Sequence, residues 1–131
     1  MSQIKTYRLA TLEFNEELNL LTFTVKQDIS IEVNEILEMI AYVEDFVGPK
    51  QHYGIIDFGS SVNSSNEARK TYAESEYLLK YRLADAFIVE NLALKLIANF
   101  FINVTKPIIK TKSFTGKVEA LKWIESLKKE E

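Results

Sequence analysis

The 131-residue chain has no cysteine, one histidine, four glycines and two prolines, and each scarcity removes a class of explanation. Without cysteine there is no disulfide framework, no thiol nucleophile and no thiolate metal site. A single histidine leaves any metal to carboxylates, which need several convergent ligands; neither a metal nor a cofactor is expected. So little glycine and proline, with 27% charged residues in mixed order, is unlike disordered or low-complexity chains. Long hydrophobic runs are also missing. The longest, residues 92–104, is interrupted by Lys95 and falls short of the roughly 20 apolar residues that span a bilayer. No membrane span is expected, and the opening MSQIKTYRLA lacks the basic and apolar regions of a signal peptide, so the expected location is cytoplasmic.

A formal charge of −3 argues against generic nucleic-acid binding, which draws on a dense positive footprint. The charge is uneven: residues 1–94 hold 8 Lys/Arg against 15 Asp/Glu, and residues 95–131 hold 8 Lys against 4 Glu. Solvated faces account for most of this, and the alternative is a basic surface for an acidic partner or anionic ligand.

What is present is a core: 47% hydrophobic and 11% aromatic residues suffice for one domain spanning residues 1–131. Residues 7–14 and 20–26 have strand composition and a short polar connection, so they predict an antiparallel hairpin. Val33, Ile36, Leu37, Ile40, Val43 and Val47 then repeat at helical spacing, with Ser30 as N-cap and Gly48-Pro49 as the stop. Residues 53–58 read as a buried strand, and Ser64-Ser65-Asn66-Glu67 has the spacing of a capping box opening a helix over 65–80. A third buried-type strand covers 84–90, and Asn91 caps an apolar helix over 92–103 that Lys106-Pro107 ends. A last strand, 108–114, leads into a helix carrying Val118, Leu121, Ile124 and Leu127. The expected fold is α/β, a five-stranded mixed sheet in the order ββαβαβαβα with four helices.

That order is similar to SpoIIAA-like, STAS-type domains, and one local stretch strengthens the likeness. Ala98-Asn99-Phe100-Phe101, Lys106-Pro107, Thr111-Lys112, Phe114-Thr115 and Glu119-Ala120-Leu121-Lys122-Trp123 resemble a helix-strand-helix signature of an uncharacterised bacterial SpoIIAA-like family. The resemblance implies a non-enzymatic regulatory or protein-binding module. In regulatory STAS domains a segment reading Asp-Ser-Ser-Gly holds a serine phosphorylated by a partner kinase. Here Asn63-Ser64-Ser65-Asn66 keeps the serine pair without the flanking Asp and Gly. Asn63, Ser64 and Ser65 are therefore the candidate phosphoacceptor or partner loop, and a phosphate there would sit at a helix N-terminus that favours an anion. The bland reading makes Ser64 the N-cap and Ser65 the first helical residue.

Asp57, at the carboxyl end of a strand, lies where ligands of α/β sheets collect. Asn99, inside an apolar helix, needs a polar partner, and bracing near Lys106 and Thr111 is the expected answer, with pocket lining as the alternative. His52, beside Lys50 and Gln51, reads as a turn residue. Phe100, Phe101 and Trp123 read as core, with a homodimer face as the use for any surplus apolar surface. No GxSxG, P-loop or GxGxxG occurs, and no base adjoins Asp57, so catalysis is the least favoured class. A small-ligand or lipid carrier is the alternative to a regulatory protein partner, and an apolar pocket of at least about 300 Å³ is what distinguishes it.

Overall fold

The computed structural model describes residues 2–130. The elements in chain order are β1 (Ser2–Thr6), β2 (Ala10–Asn15), β3 (Leu20–Val25), α1 (Val33–Val47), β4 (His52–Gly59), α2 (Asn66–Ala73), α3 (Glu76–Tyr81), β5 (Arg82–Val89), α4 (Leu92–Thr105), β6 (Lys110–Phe114) and α5 (Lys117–Lys129). All six strands form one sheet in sequence order. β1, β2 and β3 pair antiparallel, and β3 to β6 pair parallel.

The mixed α/β architecture matches expectation, with two corrections to the element count. The sheet has six strands rather than five, because Ser2–Thr6 pairs with β2 from Ser2↔Asn15 to Thr6↔Thr11. Every residue of β1 is exposed, so no buried face imprints an alternating pattern. The helix expected over 65–80 is two helices, giving five among the described residues: Ser75 restarts the chain as an N-cap, its Oγ accepting from the Leu78 amide at 3.3 Å.

Alternation of apolar side chains assigns two faces. Leu12, Phe23 and Ile56 pack with Ile36, Met39 and Val43 of α1. On the other face Tyr53, Ile55, Ala84, Ala86 and Phe114 pack with Ala120 and Ile124 of α5. The crossovers advance along the sheet in one direction, and a constant hand of crossover keeps the intervening helices on the same side. α1, α2 and α4 thus share the first face, leaving the second to α5.

Helix starts differ in detail from the expected caps. Glu32, not Ser30, caps α1, and its amide donates to Glu35 Oε1 at 2.9 Å. Ser65, not Ser64, caps α2, accepting from the Ala68 amide at 3.0 Å. Asn91 caps α4 as anticipated, through a 3.0 Å bond from the Leu94 amide.

Candidate functional site

The segment before α2 is tied down by backbone pairing. The Ile31 amide donates to Asn63 O at 2.9 Å and the Ser65 amide to Ile31 O at 3.2 Å, forming an isolated parallel bridge between Ile31 and Ser64. With its backbone held, the Ser64 side chain faces Arg69 one turn into α2. Arg69 Nη1 donates to Ser64 O at 2.6 Å and to Ser64 Oγ at 3.0 Å, and Nη2 donates to Asn66 Oδ1. The same guanidinium lies 4.0 Å from the Phe101 ring centroid, a cation–π contact that joins α2 to α4. Ser64 is half-buried and Asn63 exposed.

The expected loop is therefore assembled around a cation, Arg69, that the serine motif did not announce. The two serines are not equivalent. Ser65 Oγ is committed to the cap, whereas Ser64 Oγ rests against a cationic donor and keeps acceptor and donor capacity.

Asp57, Asn99, Lys106 and Thr111 are dispersed among local tasks. Asp57 Oδ1 accepts from the Gly59 amide at 3.0 Å, closing the turn at the end of β4, where Gly59 has φ +56°. Asn99 Oδ1 accepts from the buried Ser113 hydroxyl on β6, a strand residue rather than Lys106 or Thr111. Lys106 is the exposed αL C-cap of α4. Thr111 donates to Ile109 O at 2.8 Å and lines a cavity.

That cavity, about 110 Å³, lies between the sheet and the helices of the first face. Ile56, Phe87 and Val89 form its floor, Met39, Ala68 and Tyr72 one wall, and Ala98, Phe101 and Ile102 the other. It is well below the roughly 300 Å³ set for a small-ligand or lipid carrier.

Beside it sits a polar network that the sequence reading missed. Arg82 and Asp85 are ion-paired with both side chains at most 1% exposed. Tyr72 Oη donates to Asp85 Oδ2 at 2.8 Å, and Arg82 Nη1 also donates to Tyr72 Oη at 3.2 Å. Arg82 Nε donates to His52 Nε2 at 3.0 Å, which leaves His52 Nδ1–H to donate to Lys50 O at 2.8 Å. His52 is thus no turn residue but the fully buried start of β4. Burial, then the Arg82 charge, push its pKa down to about 4. Burial works against the Arg82 charge, yet Asp85 and Tyr72 outweigh it and its pKa is raised. Burial and the Asp85 carboxylate raise the Tyr72 hydroxyl. A detectable signal existed: Arg82 and Asp85 are opposite charges inside an apolar run, and buried charges come paired.

The apolar helix α4 overturns its expected burial. Only Ala98 is buried, while Leu92, Leu96, Phe100 and Val104 are 59–71% exposed. Phe100 is not core, Phe101 is half-buried, and Trp123 is half-buried against Phe114, ring centroids 5.7 Å apart. Burying α4 all round would need a second layer beyond it, and among the described residues none lies there.

A family model described as a domain of unknown function, DUF7793, matches residues 14–128. The chain belongs to this family. A structure search adds the fold: the chain is similar to an uncharacterised protein of the DUF3478 family from Shewanella loihica PV-4, whose crystal structure has a SpoIIAA-like fold. The TM-score is 0.54 at 16% identity, over 95% of this chain and 92% of the other. This DUF7793 member therefore has a SpoIIAA-like fold. No curated protein matches it. Among its described residues no helix is long and apolar enough to cross a membrane.

Proposed function

We propose that this DUF7793 member is a single-domain, non-catalytic STAS-like regulatory module of the bacterial cytoplasm that binds a protein partner and is switched at Ser64. The reading rests on one observation: the Arg69 guanidinium is bonded to Ser64 Oγ and stacked on Phe101. A phosphate on Ser64 adds roughly −1.5 to −2 charges at the α2 N-terminus, where helix amides and an arginine stabilise it. Recruiting the guanidinium to that phosphate changes its hold on Phe101, hence on α4, whose outer surface is the partner-facing side in this reading. Exposed Leu92, Leu96, Phe100 and Val104 form an apolar strip of the kind that marks protein contacts.

The proposal separates the two serines. Ser65 Oγ already accepts from the Ala68 amide, whereas Ser64 Oγ meets Arg69, so Ser64 is the acceptor in this reading. The test is incubation of the protein with lysate of its source cells and ATP, followed by mass-spectrometric mapping of phosphate. Modification at Ser64 is expected. Phosphate only at Ser65, or at neither serine under any growth condition, overturns the reading.

A further inference from the structure

The cavity between the sheet and α1, α2 and α4 borders the Ser64–Arg69 contact and is present with Ser64 unmodified. Protein interiors are normally packed with few voids larger than a water molecule. Here about 110 Å³ stands open, and the reason is visible in the residues. Ala68 and Ala73 on α2 and Ala98 on α4 all face it, at places where larger aliphatic side chains would fill the space.

Its lining is hydrocarbon apart from Tyr72, Asp85 and Thr111 within and Ser64, Arg69 and Thr105 at the mouth. Asp85 bonds Arg82 and Tyr72, Thr111 donates to Ile109 O, and Ser64 meets Arg69. An apolar cavity without free polar partners does not hold ordered water, and cavities of about 150 Å³ with such linings stay dry and admit benzene or xenon.

The outer side of the cavity is partly open, and a contact between two helices spans it. The buried linings, such as Ile56, Ala68 and Val89, lie inward, while Ser64, Arg69, Phe101, Thr105 and Pro107 are half-buried and mark its mouth. Across that mouth Arg69 lies on Phe101 at 4.0 Å. Phe101 belongs to α4, a helix with one buried residue, so opening the contact disrupts little core.

From these observations we infer that the cavity is a binding site for a small, uncharged, apolar molecule of roughly the size of a single aromatic ring, admitted when Arg69 and Phe101 part. A bulky lipid is excluded by volume, and the interior offers a charged ligand no free partner, because Asp85 is paired with Arg82 and the other lining charge, Arg69, lies at the mouth.

The experiment uses benzene and xenon as probes on the whole protein. Benzene is expected to raise Tm progressively with concentration, because it binds the folded state alone. Xenon is expected to shift the methyl resonances of Met39, Ile56 and Ile102 while leaving those of Ile124, on the opposite face, in place. Ala98→Leu, which fills the space, is expected to abolish both responses. Should Ala98→Leu not fold, Ile102→Ala gives the reciprocal result: a larger cavity that responds more strongly to indole than the parent does. Absence of both responses in the parent protein, or responses unchanged in the variant that folds, overturns the inference. The probes are read on the unphosphorylated protein, so their failure overturns this inference and leaves the Ser64 reading to its own test.

Discussion

Asp85 accepts hydrogen bonds from Arg82 and Tyr72 while its residue is wholly buried, so its removal leaves a guanidinium charge uncompensated in the interior. Asp85→Ala is expected to cost about 3–5 kcal/mol, and Tyr72→Phe, which deletes one hydroxyl, about 1–2 kcal/mol; urea denaturation measures both. Gly54 belongs to the same locus. A Cβ there would lie 2.7 Å from Arg82 Cζ and 2.7 Å from Asp85 Oδ1, so Gly54→Ala is expected to destabilise by displacing the pair rather than through backbone strain. His52 makes stability depend on pH. Its folded pKa, about 4, lies below the ordinary 6.5, so between those values the unfolded chain binds more protons. The contribution, on the order of 3 kcal/mol, is complete above pH 6.5 and is lost as pH falls toward 4. Denaturation midpoints should fall across that window in the parent protein, and His52→Gln should flatten this part of the profile.

Among the elements, the contrast between α5 and α4 is informative. The spacing of Val118, Leu121, Ile124 and Leu127 anticipated α5, where Ile124 is buried and Leu121 and Leu127 pack against the core, although Val118 is 60% exposed. For α4 the composition misled, because apolar residues all round a helix record what it can bury and not what this chain supplies to cover it. Substitution at its surface should therefore separate stability from binding. Leu96→Lys is expected to change the unfolding free energy by less than about 0.5 kcal/mol, while weakening whatever partner the α4 surface engages; calorimetric melting of the variant checks the first half. Asn99→Ala should behave oppositely. It unpairs the buried Ser113 hydroxyl, and hydrogen exchange along α4 is expected to accelerate. The two charges of Arg82 and Asp85 stand out in an apolar run, but that they meet was hidden for a geometric reason. In a regular strand residues three apart point to opposite faces, but the pairing shifts between His52↔Arg82 and Tyr53↔Ala84. That extra residue, Leu83, is a bulge that brings both charges to one side, and no spacing rule in the sequence signals it. Arg69 was hidden similarly, since its partner Phe101 lies on another helix.

For the molecule as a whole, alternation, continuous apolar runs and helical periodicity sufficed to read the succession from β2 to α5, apart from the break at Ser75, because those elements bury apolar side chains on one face or both. They could not reveal β1, which buries none. The proposed single domain is expected to unfold in one cooperative transition, with tryptophan fluorescence from Trp123 on one face and far-ultraviolet circular dichroism giving coincident curves; separated curves would divide the sheet into independent units. The strand order carries a further consequence. Because six strands lie side by side in the order of their synthesis, no strand has to be inserted between two that are already joined. Each newly made segment can dock on the one made just before it, so loop closures stay short. The body can then grow outward from its first hairpins while the remainder is still being translated.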